Sequence, residues 1–173
     1  MMKKIFALSI IALLVYGCSK KNDFTGQQQN CNYDSCAVKA PSSEIQAVKT
    51  YLTNNSITAT QHCSGLFYRV ETVGTGAVVP TACSYISVKY KGSLTNGNVF
   101  DQTTGSNTLD FPLNNLIRGW VNGIPYIRKG GKIHLYIPPT LGYGPSDQKN
   151  GAGVVTIPGN SILIFEIELI NVQ

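Results

Sequence analysis

The apolar residues of this 173-residue chain change period at Gly65, and that change limits what the greater part of it can become. Up to Asn54, Ile45, Val48 and Leu52 recur at helical spacing; beyond Gly65 apolar and polar residues alternate. Alternation predicts strands at Leu66–Thr72, Ser84–Leu94, Val99–Phe100, Thr108–Phe111, Lys132–Ile137 and Ser161–Val172, each with one face to bury. Asn96-Gly97 is the preferred pair for a two-residue hairpin turn, which needs positive φ at both central positions. Asn115–Val121 reads as a brief helix closed by Gly123 and Pro125. One short helix against a mostly antiparallel sheet is an α+β arrangement, and residues 65–173 suffice for a small domain.

Three segments precede that domain. Residues 1–17 open with Lys3-Lys4 and an apolar run from Ile5 to Val15, the pattern of a secretory leader and too short to span a bilayer comfortably. Val15-Tyr16-Gly17-Cys18 resembles the lipobox of bacterial lipoproteins, in which the mature chain begins at a lipid-modified cysteine, here Cys18. That implies a chain anchored to the bacterial cell envelope through a lipid, with its domain in the periplasm or at the cell surface. Residues 18–42 are polar and aperiodic, which predicts a flexible, disordered tether. Residues 43–64 carry a predicted helix, Ser43–Asn54, in which Ser43 and Gln46 make a capping box. Packing on the domain is the commonest outcome for its one-sided apolar stripe.

Of 14 basic and 9 acidic residues, the leader would take Lys3 and Lys4 with it, leaving a mildly basic surface. The basic residues are scattered, so no nucleic-acid partner is expected. Beyond Cys18 stand Cys31, Cys36, Cys63 and Cys83, an even count that suits disulfides in an exported chain. They allow three connectivities, of which a local Cys31–Cys36 loop with Cys63–Cys83 is favoured. Zinc is the rival use, but no cysteine pair has two-residue ligand spacing, so no metal is expected.

The strand pattern also gathers aromatic residues. Ile86, Val88 and Tyr90 share one face of their strand, as do Leu163, Phe165, Ile167 and Leu169 of the last, while Trp120 stands three residues after Ile117. The run from Val88 to Trp120 holds a V-x-Y-x-G strand, the N-G turn, Val99-Phe100-Asp101 and Ile117-Arg118-Gly119-Trp120. Leu141-Gly142-Tyr143-Gly144, Ile157-Pro158 and the closing strand follow. In order, spacing and flanking glycines these residues resemble the FKBP-type peptidyl-prolyl isomerases, from Gly65 to the C-terminus.

The resemblance implies an FKBP-like antiparallel sheet wrapped around one short helix, here with an N-terminal helix and a tether added. It implies rotation about X-Pro bonds in an aromatic pocket, with proline-containing unfolded or maturing polypeptides as partners and no cofactor. By the same resemblance Tyr90, Phe100, Trp120, Tyr143 and Phe165 match the aromatic wall and Leu116 and Ile117 its aliphatic side. Asp101 matches a carboxylate near the twisted amide, Tyr143 adds a hydroxyl, the Ile117 amide donates to a substrate carbonyl, and Ile157 closes over the proline ring. The chain departs from the family in three places: the aromatic usual at Leu109 is missing, no arginine follows Asp101 within residues 102–107, and the segment from Pro145 to Thr156 is longer. One wall should therefore be lower, Asp101 should rely on Tyr90, and substrate preference should differ.

Conventional hydrolytic chemistry finds no support, since neither G-x-S-x-G nor H-E-x-x-H occurs and His62 and His134 are the only histidines. Two other readings compete with an isomerase: an envelope chaperone or peptide-binding module on the same fold, and a surface lipoprotein whose β-rich domain binds glycans.

Overall fold

The computed structural model describes residues 31–173. The leader, Cys18 and residues 18–30 of the expected tether lie outside the described residues. In chain order the elements are α1 (Ser42–Asn54), β1 (Thr60–Gln61), β2 (Phe67–Thr72), β3 (Tyr85–Leu94), β4 (Val99–Gln102), β5 (Leu109–Pro112), α2 (Arg118–Gly123), β6 (Lys132–Ile137), β7 (Gln148–Lys149), β8 (Val155–Ile157) and β9 (Leu163–Val172). All six predicted strands are present. The seven-stranded antiparallel sheet runs β1-β2-β6-β9-β3-β4, with β5 sharing the outer edge of β3. The two long alternating strands, β3 and β9, are central neighbours, with Tyr90 opposite Ile167 and Gly92 opposite Phe165.

Alternation assigns the two faces. Ile133, Leu135 and Ile137 of β6 and Leu163, Phe165, Ile167 and Leu169 of β9 bury against Trp120 and Ile124 to form the main core. On the opposite face Phe67, Tyr136 and Ile164 receive Val48 and Leu52 of α1, which buries the helix's apolar stripe. Helix α1 starts without the predicted capping box: no side chain caps it, its N-cap residue is Pro41, and Ile45 N–H donates to Pro41 O. Glu44 bonds across to Thr140 instead.

Two local expectations are corrected. The β3–β4 hairpin uses three loop residues rather than two. Of Asn96 and Gly97 only Gly97 has positive φ, at 86°. Leu94 N–H donates to Asn98 O, and Asn96 Oδ1 accepts from Asn98 N–H, so the asparagine side chain does the work a left-handed backbone would have done. The helix expected at Asn115–Val121 is split: a 3₁₀ turn spans Leu113–Asn115, and α2 begins only at Arg118. Leu116 and Ile117 between them are extended, with ψ of 169° and 148°.

The disulfide pairing is also corrected. The bonds are Cys31–Cys83 and Cys36–Cys63, with Cα separations of 5.8 and 5.6 Å. All four cysteines are used, but in nested rather than sequential order. The bridges fasten residues 31–41, which were expected to be tether, onto the domain. This strap is seated by hydrogen bonds as well: Tyr33 OH donates to Asn122 Oδ1 at 2.8 Å, Asn122 Nδ2 donates to Ser35 O, and Ala40 N–H donates to Ser64 O. Asn122 belongs to α2 and is buried, so it needs these partners, and among the described residues the strap and Ser64 supply them.

Candidate functional site

The twist of the sheet over α2 leaves a recess of about 320 Å³ lined by Tyr90, Phe100, Asp101, Phe111, Leu116, Ile117, Trp120, Tyr143, Thr156, Ile157 and Phe165. The nine residues singled out in the sequence for catalysis and substrate binding are all in this lining. Two more, Phe111 and Thr156, were not anticipated.

Each element supplies its side chain for a local reason. Tyr90 from β3 and Phe165 from β9 stand on the core face of adjacent central strands, their rings 6.3 Å apart. Trp120 on α2 meets both edge to face, at 5.3 Å from Tyr90 and 5.2 Å from Phe165, and Phe100 on β4 meets Phe165 the same way at 5.5 Å. Such T-shaped contacts match ring edges to ring faces and fix the recess as a rigid apolar floor. The indole Nε1 of Trp120 is buried and has no acceptor among the described residues.

The extended pair Leu116-Ile117 ahead of α2 delivers two aliphatic side chains to the rim. Ile117 O accepts from Trp120 N–H at 2.9 Å, whereas the Ile117 N–H has no acceptor among the described residues. An unpaired amide at a pocket edge is a ready donor.

Polar groups are few. Tyr90 OH donates to Asp101 Oδ2 at 2.5 Å. Among the described residues this phenol is the side-chain partner of the carboxylate. Burial first, and then the bond to Asp101 and its charge, push the Tyr90 phenol well above the ordinary tyrosine value. Tyr143 is raised as well, again by burial first and by Asp101 second. Both phenols therefore remain hydrogen-bond donors at neutral pH.

The lower wall expected at Leu109 has a partial replacement. Leu109 is 43% exposed and does not line the recess. Phe111, two residues along β5 and so on the same strand face, pairs across to Ile86 and fills part of the gap. The lengthened segment after Tyr143 folds into the β7–β8 ribbon, with Gln148 opposite Ile157 and Lys149 opposite Val155, and so brings Thr156 and Ile157 to the recess.

The other chemistry-bearing residues fall elsewhere. His134 is on the outer face of β6, its Nε2 3.1 Å from Glu71 Oε2. Cys36, His62 and Cys63 bring three potential ligand atoms within 4.8 Å of one another, but both sulfurs are spent on their mutual disulfide. A single imidazole remains, which is a poor donor set for zinc.

Comparison with known proteins places this geometry among solved relatives. A family model described as FKBP-type peptidyl-prolyl cis-trans isomerase matches residues 76–170. The chain is 48% identical over 111 residues to the isomerase FkpA of Buchnera aphidicola (Baizongia pistaciae), covering 64% of this chain and 41% of that protein. It is 43% identical over the same length to FkpA of Escherichia coli K12, of which it covers 38%. This chain thus spans less than half the length of these curated relatives. The crystal structure of Escherichia coli FkpA superposes with a TM-score of 0.64 at 37% identity, over 76% of this chain and 60% of that one. A peptidyl-prolyl cis-trans isomerase from Pseudomonas syringae pv. tomato superposes with a TM-score of 0.62 at 29% identity, over 79% of this chain and 98% of that one.

Proposed function

This chain belongs to the FKBP-type peptidyl-prolyl cis-trans isomerase family, and we propose that it speeds cis/trans exchange at X-Pro bonds of unfolded or maturing exported polypeptides. The observation that carries this reading is the composition of the recess. It is a cavity walled by six aromatic side chains, two of them protonated phenols, and edged by one carboxylate and one free amide.

Rotation about an X-Pro bond crosses a barrier of about 18–20 kcal/mol set by amide resonance. The planar amide has a large dipole that water solvates well; the twisted amide has lost part of it. Moving the bond from water into an apolar recess therefore raises the planar state more than the twisted one. Each ~1.4 kcal/mol of that difference is a factor of about ten in rate, so a few modest contacts suffice. In this chain Trp120, Phe165 and Phe100 would receive the proline ring and Ile157 would close over it. The Ile117 N–H would hold a substrate carbonyl, fixing which part of the peptide stays still while the rest turns. Asp101, steadied by Tyr90, would face the twisting amide, and the Tyr143 hydroxyl would hold the peptide backbone. No covalent bond is made or broken, so the reaction requires no cofactor.

The test is a proline-isomerisation assay on a short peptide. Asp101→Ala and Phe100→Ala should each lower turnover about tenfold or more while the protein melts cooperatively. Unchanged turnover in both would remove these residues from the mechanism. Background turnover in an unmutated chain that still binds the peptide would favour the chaperone reading.

We further propose that the chain works from a lipid anchor at Cys18 in the bacterial cell envelope. The support is the leader pattern and the lipobox-like run ending at Cys18. No helix among the described residues is long and apolar enough to cross a membrane. Cys18→Ser should move the protein from the membrane fraction to the soluble fraction of an expressing bacterium. Retention in the membrane would count against the anchor.

A further inference from the structure

Helix α1 lies on the far side of the sheet from the recess, yet one of its side chains reaches the turn that carries Tyr143. Glu44, in the first turn of α1, is bidentate to a single residue: Oε2 accepts the Thr140 N–H at 2.9 Å and Oε1 accepts the Thr140 hydroxyl at 2.8 Å. Thr140 is the middle residue of the 3₁₀ turn Pro139–Leu141. At the start of such a turn an N–H has no partner within the turn, so the carboxylate satisfies a donor the turn cannot satisfy itself. Charge-assisted bonds to both atoms of one residue also fix its orientation.

From Thr140 the constraint passes to Tyr143 through one carbonyl. Pro139 O accepts from both Gly142 N–H and Gly144 N–H, each at 2.9 Å, so the residues flanking Tyr143 hang on the same atom. Gly144 O in turn accepts from Asn160 N–H at 2.8 Å, which ties the turn to the connection between Ile157 and β9. Leu141, fully buried, anchors the turn on its inner side. On its outer side the described contacts are those with Glu44. Tyr143 itself is 41% exposed, so packing alone does not fix its side chain and the placement of its backbone matters.

We propose that Glu44 is a positioning residue for Tyr143: by clamping Thr140 from the N-terminal helix it sets the Tyr143 hydroxyl over the recess. The inference rests on the isomerase reading for the role of Tyr143, but not for the geometry. It makes the N-terminal helix a working part of the pocket rather than an appendage.

The experiment is a double-mutant cycle in the full chain. Glu44→Ala, Tyr143→Phe and the pair are compared for peptide isomerisation and for peptide binding, the latter followed by fluorescence of Trp120, the chain's only tryptophan. Glu44→Ala should lower kcat/KM about five- to tenfold, chiefly through kcat, as expected when a contacting group is displaced rather than removed. In the Tyr143→Phe background Glu44→Ala should cost nothing further, because the hydroxyl it positions is gone. Thr140→Val, which loses the hydroxyl bond but keeps the N–H bond to Glu44, and Glu44→Gln, which keeps one acceptor oxygen, should both fall between. A helix that merely stabilises the fold would give the same loss in both backgrounds, and that additivity overturns the proposal, as does wild-type turnover in Glu44→Ala. If the unmutated chain binds peptide without turning it over, the isomerase reading fails and the same cycle is read from the dissociation constants. Coupled losses there still support the positioning role and additive ones overturn it.

Discussion

Gly92 closes the V-x-Y-x-G motif within β3, and replacing it with alanine gives a sharp test of how the aromatic recess is built. Gly92 pairs with Phe165 on one side and Asp101 on the other. A Cβ at this position would fall 2.5 Å from Phe100 Cε2, 2.6 Å from Phe100 Cζ and 2.8 Å from Phe165 Cε1. Carbon atoms in good contact stand about 3.5–4.0 Å apart, so the rings must give way by about 1 Å. Phe165 is 3% exposed and wedged against Trp120, and so has nowhere to go. Phe100 is only half-buried and can swing outward, which opens the wall it forms. Forcing a methyl into a packed site costs about 1–3 kcal/mol, or a fall in Tm on the order of 5 °C for a chain of this size. The loss of turnover should be larger than the loss of stability suggests. Displacing a wall by about 1 Å can cost on the order of a hundredfold, and a drop of roughly ten- to a hundredfold in kcat/KM is expected. Adding Phe100→Leu to Gly92→Ala should restore much of the Tm by relieving the clash, but not the turnover. Thermal melts and a peptide isomerisation assay on the three proteins settle the matter. Wild-type Tm and turnover in Gly92→Ala would mean that the close approach of the two rings is not what the glycine is for.

Two further outcomes follow from the bonds described above. The disulfides close loops of 27 and 52 residues; removing the inner one by Cys36→Ser with Cys63→Ser should cost about 2–4 kcal/mol, and less than its loop length alone predicts because Cys31–Cys83 still encloses it. Urea denaturation of the double variant and the unmutated chain, both without reductant, measures this, and equal midpoints would contradict it. Tyr90 and Tyr143 have folded-state pKa values above the ordinary value of about 10. Their unfolded forms therefore lose protons first, so their contribution to stability is complete below about pH 10 and falls as pH rises toward the folded values. The alkaline fall in Tm between about pH 9 and 11 should be shallower in Tyr90→Phe than in the unmutated chain; equal slopes would contradict it.

Some of this molecule could be read before its structure was known, and the division has physical causes. Strand alternation set Tyr90 and Phe165 on one face because side-chain period in a strand is strict, and burial of one face fixes the register. Phe111 obeys the same rule, two residues from Leu109 on one strand face, but periodicity alone does not tell a pocket wall from an ordinary core ring. Leu116 and Ile117 were read as helix because their residue types suit one; the extended kink that turns both to the recess is decided by tertiary packing. Disulfide connectivity could not be read at all. Nested and sequential pairings use the same four cysteines, and only the docking of residues 31–41 onto α2 and Ser64 brings Cys36 to Cys63 and Cys31 to Cys83. The capping box failed for a similar reason, since the contact made by Glu44 with Thr140 is long-range and leaves no local signature.

Strand β9 is the last element of the chain and lies in the middle of the sheet, between β6 and β3. Until its ten residues arrive, β1, β2 and β6 form one ribbon and β3, β4 and β5 another, with no hydrogen bonds to join them. The aromatic recess draws Phe165 from that strand and Tyr90, Phe100 and Phe111 from the second ribbon, so neither half holds the complete site. Closing a sheet through its centre with the most distant part of the chain is a high-contact-order event, and such events are slow. A chain that folds from its N-terminal side therefore lacks a complete recess until β9 is in place, then acquires the pocket in one step. The recess is thus an all-or-none property of the closed sheet rather than a sum of local parts.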